Sequence, residues 1–295
     1  MVIQLPWSDL WVLGCAQNCA AALPAVLANI DRLRPWFDNS GLLILENDSK
    51  DATAEVLRAY ARGGSGNHAF SLPGLADRLP IKTERLAHLR NGGLAWLRQR
   101  GLLAENSLLM ILDLDEVNAD PWSLEAVAEV LQWFAGKPQA AAVFANQRGP
   151  YYDLWALRHP QLCPDDIWER QLELHLERPE LSDQDLLEAV LTPRQFSLPL
   201  DGKPLAVESA FGGLGFYRGS WLRRLPEVAY VGSRSRWIET GDGGVRLIRW
   251  QCAEHVAFHG QLRSAGAELW VHPRLVNWTT PQIRLNPATW RHLQC

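Results

Sequence analysis

The sequence predicts an α/β protein with a mostly parallel sheet flanked by helices. Short apolar runs alternate with segments of helical period through the first half, at the spacing of strand–helix–strand units. The runs are continuously apolar, as expected of strands covered on both faces. Three of them end in polar clusters, at 14–18, 46–53 and 113–116. Ligands in open α/β sheets bind beyond the carboxyl ends of the strands.

The first strand is predicted at Leu10–Cys15, followed by a helix within 20–37 that places Leu23, Val26, Leu27, Ile30 and Leu33 on one face. Gly41–Leu45 is the second strand, and a helix follows through 54–62. The glycine-rich stretch 63–67 reads as a loop. A helix is predicted from about Lys82 to Gln99, a third strand at Ser107–Leu112, a helix at 123–134 and a fourth strand at Ala140–Ala145.

The second half is less regular. Residues 151–158 read as strand, and 164–191, acidic and helical in period, as a rim insertion. Residues 205–218 read as strand, glycine turn, strand. The polar stretch 232–244 reads as a mobile loop, followed by a helix at about 251–265 and a strand at Glu268–His272. With no internal repeat, the chain is expected to be one domain. Residues 1–135 form one half and 136–295 the other, with the helical insertion at about 160–195.

At 295 residues and 47% hydrophobic content the chain can bury a large core. A net charge of −4 argues against a broad grip on nucleic acid. Lys occurs only at 50, 82, 137 and 203, so nearly all of the 29 cationic residues are Arg, whose planar donors suit phosphate. The five cysteines (15, 19, 163, 252 and 295) form no CxxC pair and read as free thiols of a reducing cytoplasm. No apolar run reaches the ~18 residues of a spanning helix. Any membrane association is expected to be peripheral, a setting that the 14 tryptophans permit.

The sharpest cluster is Leu112-Asp113-Leu114-Asp115-Glu116. In extended backbone Asp113 and Asp115 share a face, and two such close charges call for a divalent cation. A solvated turn is the plainer alternative. Glu46 and Asn47, at the second strand end, offer acceptors for the edge of a nucleobase. The following residues through Asp51 can instead cap a helix. Arg90 could pair with a diphosphate oxygen, or sit as an ordinary helix cation.

In this order the clusters resemble the family 2-like GT-A glycosyltransferases. LIL-ENDSKDAT is similar to their VDDGSTDGT strand end, LAHLRNGGL to their ARNxGL segment, and MILDLDEVNADPWSLEAV to the segment that holds their DxD motif. The likeness covers roughly residues 8–135. In the second half, YDLWALR (152–158), GGLG (212–215) and CAEH (252–255) resemble motifs of the capsule-associated α-1,3-mannosyltransferases.

The resemblance implies a GT-A-like fold and metal-dependent transfer of a hexose from a UDP- or GDP-sugar to a glycan or lipid-linked acceptor, as in surface polysaccharide synthesis. Asp115 would ligate Mn²⁺ or Mg²⁺, with Asp113 on the metal, the ribose or the sugar. Glu46 and Asn47 would hold the base with the first loop (Cys15, Gln17), and Arg90 and Asn91 would meet the diphosphate. Where the family carries an acidic Glu-Asp pair on the acceptor side, this chain has Glu254-His255. Glu254 would be the base of an inverting enzyme, with His255 sharing that role or structural, whereas the mannosyltransferase likeness implies retention. Among His255, His259 and His272, His259 is the expected late metal ligand. Asp153 and Arg158, beside Tyr151 and Tyr152, would contact sugar, and Arg234 or Arg236 would close over the diphosphate. Two alternatives stand beside this reading. One is a sugar nucleotidyltransferase, which the absence of Lys and Arg in 14–23 disfavours. The other is a non-catalytic binding scaffold.

Overall fold

The computed structural model describes residues 5–239 and 243–279. Cys295 and positions 240–242 of the stretch expected to be a loop lie outside them. The elements in chain order are β1 (Asp9–Ala16), α1 (Leu23–Leu33), β2 (Asn39–Glu46), α2 (Thr53–Arg62), β3 (Asn67–Ser71), α3 (Leu75–Arg78), α4 (Lys82–Gln99), β4 (Ser107–Asp113), α5 (Leu124–Ala135) and β5 (Ala140–Gln147). They continue as α6 (Ile167–Glu177), α7 (Asp183–Leu191), β6 (Leu205–Val207), β7 (Leu214–Arg218), α8 (Gly219–Arg224), β8 (Ser233–Glu239), β9 (Val245–Gln251), α9 (Glu254–Ser264) and β10 (Glu268–Trp278).

Eight strands form one sheet in the order β3-β2-β1-β4-β7-β5-β10-β6. β6 and β7 run against the other six. Alternating positions of the central strands feed two cores. Leu10, Val12, Leu108, Met110 and Leu112 pack with α1 and α5 on one face. Leu13, Leu109 and Ile111 pack with α4 and α9 on the other. This period of two explains why apolar runs without alternation became central strands. α4 lies close over β1: a Cβ at Gly93 would stand 2.4 Å from Leu13 Cδ1.

The second half departs from expectation in three places. Residues 151–158 are not a strand. They form turns ending in an isolated bridge between Arg158 and Ser209, because Asp153 bonds to backbone N–H groups rather than letting the segment join the sheet. Within the expected strand, glycine turn and strand of 205–218, β6 joins β10 and β7 inserts between β4 and β5. The expected loop at 232–244 contains β8, which pairs with β9 as a separate hairpin. β10 extends past His272 to Trp278, with a register shift between Val271 and Val276. The acidic insertion is the pair α6 and α7, its root fixed by a buried ion pair of Arg158 with Asp166 at 2.7 Å. No helix among the described residues is long and apolar enough to cross a membrane.

Candidate active site

The parallel register sets Cys15 of β1 beside Asp113 of β4, and Ala16 beside Glu46 of β2. Three strand ends therefore open at one edge, against the N-terminus of α4. The groove between them has a cavity volume of about 180 Å³. Cys15, Gln17, Asn47, Asp113 and Asp115 line it with Lys82, Arg85 and Leu86.

Its two side loops are braced to each other. Asn18 adopts a left-handed φ of 52° and accepts from Lys50 N at 2.7 Å. Asp51 accepts from Ala20 N at 3.0 Å, and Thr53 Oγ1 from Cys19 N at 2.8 Å. Asp48, φ 53°, accepts from Gly74 N and Ala76 N and fixes the start of α3. ENDSKDAT is thus largely a brace. Glu46 belongs to it: it is buried, accepts from Ser49 N at 2.8 Å and bonds Ser71. The expectation that Glu46 reads a base is corrected, since its carboxylate is committed within the protein. Asn47 remains at the groove wall, held near Asp48 by a 3.1 Å hydrogen bond.

Asp113 and Asp115 reach the groove from the end of β4. Asp115 Oδ1 accepts from Val117 N at 3.2 Å, which orients the carboxylate at the start of a short 3₁₀ turn. Burial, with the charges of Asp115, Asp153 and Glu254, pushes the Asp113 carboxyl up to about 7 against the lowering effect of Arg90. Burial also raises Asp115, with Lys82 opposing it.

Beneath the pair lies a floor of uncharged amides. Asn118 Nδ2 donates to Asp113 O and Gly213 O, both at 2.8 Å. Asn277 Nδ2 donates to Asn118 Oδ1 and Gly212 O, and Gln147 Nε2 to Gly212 O and Asn277 Oδ1. All three amides are fully buried. They clamp Gly212 and Gly213, whose φ values of 64° and 84° favour glycine. A Cβ on Gly213 would also stand 2.6 Å from Val117 Cγ1. The turn presents Gly212 N to Asp153 Oδ2 at 3.0 Å, while Asp153 Oδ1 takes Ala156 N at 3.2 Å. Asp153 is thereby a fixed negative charge near Asp113, its carboxyl raised chiefly by burial.

Four expected site residues do other work. Arg90 is 2% exposed and bridges Glu254 and Asp113, the latter at 3.2 Å, with its guanidinium 5.4 Å from the Phe211 ring centroid. It supports Asp113 from behind and does not reach the groove. Asn91 clasps the backbone of Tyr230, donating to its carbonyl at 2.9 Å and accepting its N–H at 2.8 Å, so it is not a diphosphate ligand. Glu254 is buried against Arg90, so the expected acceptor base is instead committed as the counter-charge of that guanidinium. His259 is fully buried, with Nδ1 2.8 Å from Ser209 Oγ and Nε2 2.8 Å from Tyr217 OH. Both ring nitrogens are occupied, so the expected metal ligand is a core histidine.

His255 is also buried, stacked on Phe211 at 3.9 Å, with no hydrogen bond on either nitrogen. Burial and the charge of Arg90 hold it neutral, well below the usual imidazole range. It does not line the groove either. Arg158 is spent on Asp166, and Arg234 and Arg236 pair with Glu169 of α6.

Sequence reasoning missed Lys82 and Arg85. Both lie in the first turn of the 18-residue α4, which has no side-chain cap. Arg85 Nη1 donates to the carbonyls of Leu79 and Pro80, both at 2.8 Å, which anchors it at the rim. Lys82 is exposed at the groove opposite Asp115. The free N–H groups and dipole of the helix start, with these cations, suit an anion.

Among the described residues no three His, Cys, Asp or Glu side chains are grouped to hold a metal ion by themselves. The oxygen donors of Asp113 and Asp115, with the charge of Asp153 close by, fit a hard divalent cation that would take its remaining ligands from a bound phosphate.

No protein-family model and no curated protein matches the chain. Among solved structures it is similar to glucosyl-3-phosphoglycerate synthase from Mycobacterium tuberculosis in complex with UDP, at 16% identity over 96% of this chain and 75% of that one, with a TM-score of 0.43. It is also similar to a mannosyltransferase from Pyrobaculum calidifontis in complex with GDP-Man and Mn²⁺. There the identity is 17% over 96% of this chain and 59% of that one, with a TM-score of 0.48.

Proposed function

We propose that the chain is a metal-dependent glycosyltransferase that takes a hexose from a nucleoside diphosphate sugar, UDP- or GDP-linked, to a glycan or lipid-linked acceptor in surface polysaccharide synthesis. One observation carries the reading: Asp113 and Asp115 share a groove with Lys82 at the start of a long helix. Paired carboxylates facing a cation and free N–H groups are what a metal-bridged diphosphate needs on its two sides.

In this arrangement Asp115 and Asp113 would hold Mn²⁺ or Mg²⁺ between the protein and the diphosphate. The bound cation would offset the negative charge that collects on the leaving diphosphate. Lys82 and the first N–H groups of α4 stabilise the same charge from the opposite wall. Asn47, Gln17 and Cys15 form the wall left for the nucleoside. Arg90 keeps Asp113 aligned through an ion pair whose cation is buried. Asp153, fixed by Gly212 and Ala156, keeps a carboxylate on the second-half side, where the sugar would lie.

The test is calorimetric titration with UDP-, GDP-, dTDP- and CMP-sugars in Mn²⁺, Mg²⁺ or EDTA, on wild type and Asp115→Asn. One donor should bind only with metal, be hydrolysed slowly, and lose both properties in the variant. Binding indifferent to metal and to Asp115 would refute the reading. Metal-dependent binding without turnover would leave a nucleotide-sugar-binding scaffold.

A further inference from the structure

The first turn of α4 carries three charged residues, Lys82, Glu84 and Arg85. By the period of the helix, Lys82, Arg85 and Leu86 fall on one face, and these three line the groove. Glu84 falls on the far side of the same turn. A carboxylate there stands about one helix diameter, ~10 Å, from an anion held on the groove face. Left alone it would repel that anion and offset the positive end of the helix dipole.

The β8–β9 hairpin takes up this charge. Arg249 Nη2 and Ser233 Oγ both donate to Glu84 Oε1, and Arg249 Nε donates to Ser233 Oγ at 3.0 Å. The three side chains close a triangle in which the Glu84 side chain is only 13% exposed. The strand register explains how two hairpin residues reach one carboxylate. Ser233 pairs with Gln251, two positions from Arg249, so Ser233 and Arg249 share a face. Arg234 and Arg236, on the opposite face, are spent on Glu169 of α6. Arg249 makes no other ion pair among the described residues.

The chain entering β8 is clamped to the same turn. Thr83 Oγ1 donates to Gly232 O, and a Cβ on Gly232 would overlap Thr83 O and Glu84 N. A residue without a side chain lets the strap cross this close. Further along α4, Asn91 holds the backbone of Tyr230 on both sides. The strap and the hairpin root are therefore fixed against the helix start whose other face forms the groove wall.

We propose that Arg249, seated by Ser233, is a positioning residue of the groove. It neutralises Glu84 and holds it on the far side of α4, so that the wall formed by Lys82 and Arg85 keeps its positive charge for a diphosphate. The inference rests on the transferase reading for the identity of that ligand, and it gives the hairpin a part in binding it.

The experiment is calorimetric titration of the full chain with UDP and with GDP in Mn²⁺. It compares wild type, Arg249→Ala, Glu84→Gln and Arg249→Ala/Glu84→Gln. Arg249→Ala should weaken the nucleoside diphosphate that wild type binds about three- to tenfold, as expected of one uncompensated charge a helix diameter away. Adding Glu84→Gln should bring the affinity back to within about twofold of wild type. A contact that only anchored the hairpin would give no such rescue, because the double variant lacks it too. Circular dichroism and thermal melting check that the exposed Arg249 is replaced without loss of fold. Equal affinity of Arg249→Ala and wild type, or a double variant as weak as Arg249→Ala, would overturn the proposal and leave the reading of the groove standing. Wild type that binds neither nucleoside diphosphate would overturn both.

Discussion

Replacing Arg90 by Met removes the one cation that bridges Glu254 and Asp113 while keeping much of its stem. In the native protein the Arg90 side chain is 3% exposed, that of Glu254 8% and that of Asp113 30%. Removing one member of a buried pair leaves an uncompensated charge, at a cost of roughly 3–5 kcal/mol. Glu254 is close to that limit, and Asp113, open to the groove, adds less because water screens it. Against a typical total stability of roughly 5–15 kcal/mol the variant should fold but be weakened.

The loss should depend on pH. An unpaired buried carboxyl holds its proton more tightly in the folded chain than in the unfolded one. Raising the pH through that interval therefore takes stability away, so Arg90→Met should cost most near about pH 8 and little near about pH 3, where both states are largely protonated. Urea denaturation in EDTA at the two pH values measures this, and Arg90→Met/Glu254→Gln should recover much of the loss at the higher pH. A cost below about 1 kcal/mol, or the same cost at both pH values, would refute the argument that Arg90 acts as a buried counter-charge.

Two other outcomes follow from the same geometry. Lys82→Ala should weaken binding of a nucleoside diphosphate roughly ten- to hundred-fold, the worth of one charge-assisted hydrogen bond, and leave binding of the nucleoside alone unchanged. Equal losses for both, read by calorimetry, would place Lys82 elsewhere. Burial and Arg90 push His259 down to about 3, so as the pH falls below the usual imidazole range the unfolded chain takes up its proton first. Stability should then fall by about 1.4 kcal/mol per pH unit from this residue. His259→Gln, compared with wild type by urea denaturation between about pH 6.5 and 4.5, should lose that share of the slope. An unchanged slope would show that His259 is protonated in the fold.

What was legible in the sequence is what local pattern decides. The bounds of α4 follow from its period, and the groove edge follows from polar residues placed just beyond apolar strands. The misreadings of Arg90 and Asn91 came from treating a helical segment as a linear motif. Thr83, Ala87, Arg90, Leu94 and Leu97 are all buried, and their spacing puts them on one stripe of α4. An arginine within such a stripe faces the interior, and that signal was available. Lys82 was legible too, as a cation in the first turn of a predicted helix beside a predicted strand-end site. The hairpin was not, because Ser-Arg-Ser-Arg alternation matches a polar loop until a paired strand supplies the other half.

The amide floor was out of reach for a different reason: apart from Asn118 and Asp113, its partners are separated by 65 to 159 positions in the chain. Its chemistry nevertheless fits the site above it. The charges of Asp115, Asp153 and Glu254 already raise the cost of ionising Asp113, and that of Glu254 the cost of ionising Asp153, with Arg90 opposing both. Charged supports under the DxD turn would either compete with a divalent cation or pair with the carboxylates that should bind it. Asn118, Asn277 and Gln147 satisfy the carbonyls of Asp113, Gly212 and Gly213 without adding charge. The carboxylates thus keep their shape while their charge stays available to a ligand, and the fold bears a local electrostatic cost that a bound cation would relieve.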